Sequence, residues 1–228
     1  AVCLMDGEKI RAGIPFADIR SFVTGKRWIS LPFSDHCQPL FPKGDVQAVD
    51  ALIGYLKTKQ RSETSKIEIR WGIETSHQIF LEKNFVNHRL RLDKDEATVF
   101  KSFDKQGNQR SIQKAEKEGV VVKECTTFED FRVFYRLQVM TRRRLGVPAQ
   151  PKTFFQGVWD YIIRPGLGFA LVAYKNATPL AGGVFFHFNS TMYYKYSASD
   201  VTYRALQPNH AFLWRGIQKA LAAGCTTF

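Results

Sequence analysis

The sequence predicts an α+β fold, with mixed, mostly antiparallel sheets flanked by helices. Three observations predict it. Runs of β-branched and aromatic residues are punctuated by Gly and Pro, amphipathic segments of helical spacing lie between those runs, and in the second half consecutive strand-like runs are joined by short turns. A chain of 228 residues, 44% of them hydrophobic, can bury a substantial core without metals or disulfides.

The first half opens on VCLMDGEKIRAGIPFADIRSF, a turn at Gly25 and RWISLPFSD, which together predict an antiparallel meander from Val2 to Leu40. Gly44-Asp45 then caps a helix over Val46 to Lys57, where Val46, Val49, Leu52, Ile53 and Leu56 form one apolar face. Two further strands are expected at 66–71 and 78–93, the second bent near Asn84. The chain begins inside a strand, and after the helix-ending Gly224 it stops where another strand is expected, so both ends read as cut.

From Asp93 to Gly119 the pattern is a helix pair or a kinked helix carrying Lys101, Lys105, Arg110, Lys114 and Lys117, a solvated face whose alternative reading is nucleic-acid contact. A strand at 120–124 precedes a helix whose start is flanked by Thr127 and Asp130 and whose end is the basic turn Arg142-Arg143-Arg144. Another helix, Lys152 to Ile163, leads through Arg164-Pro165-Gly166 into strands at 168–174, 180–188 and 191–200. A loop, VTYRALQPN, then enters the last helix, HAFLWRGIQKALAAG.

With 33 Lys and Arg against 21 Asp and Glu the net charge is +12, which favours polyanionic or phosphorylated partners without naming one. No apolar run reaches the roughly 18 residues of a membrane-spanning helix, and the charged N-terminus is unlike a signal peptide, so a soluble, cytoplasmic chain is expected. Cys3, Cys37, Cys125 and Cys225 form no CxxC pair, and the five histidines lack metal-ligand spacing. Reduced thiols, no metal and no resident cofactor are the expectation.

Six segments in order, LPFSDHCQPLF (31–41), FDKQGNQRSIQKAEKEGV (103–120), FYRLQVMTRRRLGVPAQPKTFF (134–155), LAGGVFF (180–186), YYKYSASD (193–200) and PNHAFLWRGIQKALAAG (208–224), resemble the FemAB-like proteins of the GNAT N-acyltransferase superfamily. Those proteins are similar to peptidoglycan-bridge aminoacyltransferases and to exopolysaccharide-associated relatives. The resemblance implies two tandem GNAT-like domains, here 1–95 and 96–228. It implies an acyltransferase that forms an amide on an amine of a nucleotide- or lipid-linked cell-envelope precursor. In GNAT enzymes adjacent strands splay apart, and their exposed backbone groups align the acyl donor beside the nucleophile.

Acetyl-CoA-dependent members carry a Gly-rich Q/R-x-x-G-x-G/A loop whose N–H groups hold the pyrophosphate. The corresponding stretch here, RALQPNHA (204–211), has no Gly. That favours aminoacyl-tRNA as donor, which the +12 charge suits through phosphate neutralisation. The alternatives are an acyl-CoA-dependent N-acyltransferase acting on a sugar or peptide amine in polysaccharide biosynthesis, with acyl-CoA as co-substrate, and a non-catalytic binding module.

The candidate catalytic residues are Asp35, at a strand end, to accept a proton from the amine, and Lys195, to neutralise a phosphate or carboxylate. An Asx turn is the plain reading of Ser34-Asp35, and a solvent-facing charge that of Lys195. By strand alternation Lys195 points away from both Tyr194 and Tyr196. His36, Arg142, Arg144, Tyr194, Tyr196 and Asp200 are candidate substrate contacts, with Arg142 and Arg144 as a diphosphate clamp in which Arg144 is preferred. The helix dipole equally explains cations at that helix end. Arg204, Asn209 and His210 are candidate donor contacts, Asn209 being also a natural N-cap.

Overall fold

A computed structural model describes residues 1–22, 25–32, 34, 36–62, 64, 66–80, 86–92 and 95–228. The chain divides into two units, Ala1–Phe85 and Val86–Phe228. The division comes ahead of the expected 95/96 because Leu90 and Leu92 already belong to the second unit. Their N–H groups donate to Phe228 O and Thr226 O, each at 2.8 Å.

In the first unit, β1 (Val2–Asp6) and β2 (Lys9–Ile14) form an antiparallel hairpin, and β3 (Ala17–Ser21) pairs antiparallel with β4 (Gly25–Ile29). The expected single meander is corrected at this point. β4 runs on through α1 (Val46–Ser62) to pair in parallel with β5 (Lys66–Glu68), a connection that needs a helical crossover. Asp45 caps α1 by accepting from Ala48 N–H at 3.0 Å, and Arg11 holds that carboxylate at 2.7 Å. Of the predicted apolar face of α1, Val49, Leu52, Ile53 and Leu56 pack with Ala12 and Ile14 of β2, while Val46, in the first turn, is exposed. Of the strand expected over 78–93, the described residues 78–80 and 86–92 form only a single bridge, Arg91 to Thr227.

The second unit is built on a four-stranded antiparallel sheet in the order β6 (Val121–Glu124), β7 (Gly168–Lys175), β8 (Thr178–Phe188), β9 (Thr191–Ser199). Helices cover both faces. On one lie α2 (Glu96–Ser102), a π-helical turn (Lys105–Gln109), α3 (Arg110–Lys117) and α6 (Pro208–Ala222). On the other lie α4 (Phe128–Arg144) and α5 (Lys152–Val158), which continues as a π-helical turn (Trp159–Ile163). Because successive strand residues face opposite sides, Phe169, Leu171 and Ala173 of β7 join the α3/α6 core while Ala170 and Val172 join the α4/α5 core. This two-sided burial is why β7 reads as an unbroken apolar run.

The caps were written locally. Thr127 and Asp130 form a reciprocal capping box at the start of α4, and Gly119 ends α3 with φ +75°. Asp95 caps α2 through Thr98 N–H at 3.0 Å. In β8 the Gly182-Gly183 pair lets helices approach from both sides. A Cβ on Gly182 would lie 3.1 Å from Phe134 Cδ2 of α4, and one on Gly183 would lie 2.6 Å from Phe212 Cε2 of α6. The four cysteines are free thiols, and no described helix is long and apolar enough to cross a membrane.

Candidate functional site

The site forms along β9. One edge of β9 pairs with β8 throughout. On the other edge Thr191 bridges Thr227 in parallel, Met192 N–H donating to Thr227 O at 2.9 Å, and no further described strand follows. Farther along the same strand, α4 supplies a substitute. Thr141 Oγ1 accepts from Ser199 N–H at 3.0 Å and donates to Ser199 O at 3.2 Å.

Between these two contacts the strand bulges. Val184 pairs with Tyr196 and Phe185 with Tyr194, which leaves Lys195 as the extra residue. The bulge overturns the expectation that both tyrosines lie opposite Lys195. Tyr194 goes to the α6 face, stacked on Phe185 at 5.3 Å and 6.0 Å from Phe212. Tyr196 goes to the α5 face, 5.3 Å from Phe155 in an edge-to-face pair. Lys195 Nζ lies 5.8 Å from the Tyr196 ring centroid, on that same side.

Burial pushes the Tyr194 phenol up to about 12, opposed by its hydrogen bond with Ser197, although 38% of the residue remains accessible. The surrounding protein desolvates the hydroxyl more than the ring surface suggests. Tyr194 is therefore a neutral O–H donor at physiological pH. Beside Tyr196, an open groove of about 350 Å³ is lined by Thr153, Phe154, Gly157, Val158, Ile162 and Phe186.

On α4 the residues Gln138, Thr141 and Arg142 share one face at i, i+3 and i+4. Gln138, only 3% exposed, donates to Gln150 Oε1 at 3.4 Å, while its Oε1 and the Arg142 Nε are buried with no partner. Arg143 and Arg144 are exposed. The sequence-based preference for Arg144 thus passes to Arg142, the member of the basic turn with a desolvated, unsatisfied donor.

After β9, Asp200 accepts from Thr202 N–H at 3.0 Å and from Thr202 Oγ1, capping the 3-10 turn Val201–Leu206. Gln207, in the left-handed region at φ +57°, is the N-cap of α6, and Pro208 is its first residue. Asn209 is therefore not the cap. It and Arg204 are exposed. Pro208 has no N–H, and the N–H groups of His210 and Ala211 already turn to Gln207 O at 3.1 and 3.3 Å. Few backbone donors are left to cradle a pyrophosphate. His210 is half-buried, its Nδ1 has no partner, and burial lowers its basicity, so its imidazole is neutral at pH 7.

Asp35 lies outside the described residues. His36, in the first unit, sits 5.7 Å from Trp71, centroid to centroid. Its loop is pinned by a residue that sequence reasoning passed over. Arg70 N–H donates to Ser30 Oγ at 2.8 Å, its Nη1 to Ser34 O at 2.7 Å, and its carbonyl accepts from Cys37 N–H at 2.9 Å. Thr141 and Gln138 were passed over as well. Polar residues on the buried face of a helix were the available signal. Among the described residues no group of three His, Cys, Asp or Glu side chains could hold a metal ion.

The fold has known counterparts. The crystal structure of FemX superposes with a TM-score of 0.63 at 13% identity, over 99% of this chain and 77% of FemX. The C-terminal domain (DUF2156) of a putative lysylphosphatidylglycerol synthetase from Agrobacterium fabrum gives a TM-score of 0.51 at 10% identity, over 96% of this chain and 66% of that one. No curated protein sequence matches the chain. A sequence profile for the acetyltransferase (GNAT) domain matches residues 105–228, more than half of the chain and all of the sheet that carries the β9 bulge. With its FemX-like α+β fold, the chain belongs to the GNAT acyltransferase family.

Proposed function

We propose that this protein transfers an aminoacyl group from aminoacyl-tRNA to an amine of a cell-envelope precursor, forming an amide. The observation that carries the reading is the pairing of a bulged β9 with a helix α6 whose N-terminus is short of phosphate-binding donors. The first feature suits an acyl group lying along a strand edge. The second argues against the pyrophosphate of CoA, for which such a helix end ordinarily supplies free N–H groups.

In this reading the acceptor amine attacks the ester carbonyl carbon of the donor. A C–N bond forms, the C–O bond to the terminal ribose breaks, and the proton lost by the amine passes to the released ribose oxygen. The neutral Tyr194 O–H stabilises the developing oxyanion, and the Lys195 ammonium, on the other face of the sheet, neutralises a phosphate or carboxylate of the acceptor. His210, neutral and half-buried, accepts the amine proton. Arg142 holds an anionic group of the acceptor. Rate enhancement comes mainly from positioning, without a covalent protein intermediate.

Membership of the acetyltransferase (GNAT) family favours an acyl-CoA donor instead, with the C–S bond of a thioester breaking. A binding titration against acetyl-CoA and an aminoacyl-tRNA, at low and high salt, separates the two. Salt-sensitive binding of the tRNA without CoA binding is expected. Tight CoA binding would reject the tRNA donor, and binding of neither would point to a module without this chemistry.

A further inference from the structure

We infer that the groove beside the β9 bulge takes the side chain of the transferred aminoacyl group, and that Gly157 makes it select a large apolar side chain, aromatic or branched aliphatic. The inference rests on the aminoacyl transfer proposed above and deepens it by naming the amino-acid class of the donor. The bulge sorts the two faces of the sheet, with Tyr194 on the α6 side and Tyr196 on the α5 side. A carbonyl oxygen turned to the Tyr194 O–H leaves the Cα of the acyl group directed away from it, toward the α5 side. There the groove opens beside Tyr196.

Gly157 gives the groove its room. It lies inside the helical run from Lys152 to Ile163, where glycine is less favourable than alanine, yet neither backbone nor packing asks for it. Its φ is not among the positive ones, and a Cβ there would meet only Tyr161 Cδ2, at an ordinary 3.9 Å. Gly182, Gly183 and Gly216 differ from it, since a Cβ on each would find a neighbouring atom at 2.6 Å. Those three glycines serve close packing, whereas a side chain at 157 would occupy the groove.

The lining fits an apolar side chain. Phe154 and Phe186 stand edge-on to Tyr196, with ring centroids 6.2 and 6.1 Å away, and Val158 and Ile162 complete the wall. A fourth ring fits among these three in the same edge-to-face manner. The volume of about 350 Å³ exceeds the roughly 150 Å³ that encloses a benzene molecule, so an aromatic or leucine-like side chain enters. The methyl of alanine would leave apolar walls in water. Thr153 and Tyr196 add hydroxyls to the lining, and Tyr196 is itself engaged by its neighbours. A hydroxyl serves an uncharged polar atom and does not neutralise an ammonium. Lys195 on the same face, with exposed Lys152 and Arg164 beside the groove, sets a positive potential against lysyl and arginyl side chains. Asp160 is turned to Arg164 at 3.4 Å and to Gln156 Nε2 at 2.9 Å.

Equilibrium binding of adenosine that carries an aminoacyl group in amide linkage at its 3′ position tests it, because such probes mimic the end of the donor and are poor acyl donors. The phenylalanyl and leucyl probes should bind at least about tenfold more tightly than the alanyl and lysyl ones, the gain from burying one large apolar side chain. Gly157→Leu, which fills the groove, should bring the phenylalanyl and leucyl probes down to the affinity of the alanyl one. Gly157→Ala, a milder change, should lower the preference for phenylalanyl at least about twofold, and thermal unfolding of each variant checks that the fold persists. Equal affinity for all four probes, binding of none, or a preference unchanged in both variants would overturn the groove as the side-chain site. Transfer from alanyl-tRNA as efficient as from phenylalanyl-tRNA would overturn this inference and leave the proposed reaction standing. A phenylalanyl preference that Gly157→Leu removes, without transfer from any aminoacyl-tRNA, would do the reverse.

Discussion

Thr141 and Ser199 are joined by two hydrogen bonds in opposite senses, so that one side-chain hydroxyl of α4 takes the place of a neighbouring strand at the edge of β9. A strand edge left in apolar surroundings would leave backbone groups unsatisfied, and the hydroxyl removes that cost for one residue. The same contact stops any further strand from pairing at Ser199. Thr141→Val keeps the volume and loses both bonds. It is expected to destabilise the protein by about 1–3 kcal/mol, read from urea unfolding, and an unchanged midpoint would remove Thr141 from this role.

Arg142 and Arg144 should separate cleanly in kinetics. Arg142→Met removes a half-buried side chain whose buried Nε awaits an acceptor, whereas Arg144→Met alters an exposed side chain. The first is expected to raise the acceptor KM at least about tenfold, with the donor KM unchanged. The second should leave both constants within error, and equal effects would restore the pair as a clamp.

Gly183 is one of the places where α6 packs tightly on the sheet. In Gly183→Ala the new methyl would sit 2.6 Å from Phe212 Cε2 and 3.0 Å from Tyr194 Cε2, and neither ring can move without disturbing Phe185. A loss of about 1–3 kcal/mol is expected. Combining it with Phe212→Leu should cost less than the sum of the single changes, since the smaller side chain vacates the contested space. Strict additivity in a double-mutant cycle would show that the clash is relieved elsewhere.

Acid should loosen the first unit through Asp50. Its carboxylate accepts from Thr75 Oγ1 at 2.5 Å, Ser76 Oγ at 2.6 Å and Ser76 N–H at 2.9 Å, bonds that lower it from 3.8 to about 2, the Ser76 hydroxyl being the largest cause. A depressed carboxylate stabilises the fold above its unfolded value. That contribution begins to fade as pH falls below 3.8 and is gone once the pH has passed through 2. Asp50→Asn should be less stable at neutral pH and lose less on acidification over this window, as followed by circular dichroism.

His210 should titrate below the ordinary 6.5, because burial disfavours its imidazolium. Its neutral form therefore favours the fold above 6.5, and that stability declines as pH falls below it. A histidine-resolved NMR titration gives the midpoint directly. A value at or above 6.5 would remove the neutral base from the proposed reaction.

Helices, caps and the β7–β8–β9 hairpins were legible in the residues, because periodicity, capping boxes and left-handed turns are set by neighbours a few positions apart. Thr127 and Asp130 announce α4 wherever it packs, and Gly119 ends α3 by its own backbone. The crossover from β4 through α1 to β5 was not legible, since short strands do not reveal which partner they will join or in which direction. The candidate site was half legible. Its strand, YYKYSASD, stood out, yet strict alternation put Tyr194 and Tyr196 on one side and Lys195 on the other.

Composition and order alone determined an α+β chain of strong positive charge, with a Gly-free stretch where a CoA-binding loop would stand. Tertiary structure decided the rest. A bulge exists only as a mismatch between two paired strands, so the register of β8 against β9 was needed to send Tyr194 toward α6 and Tyr196 toward α5. An unsatisfied donor exists only where packing has excluded water, so burial, which no single residue encodes, was needed to choose Arg142 over Arg144.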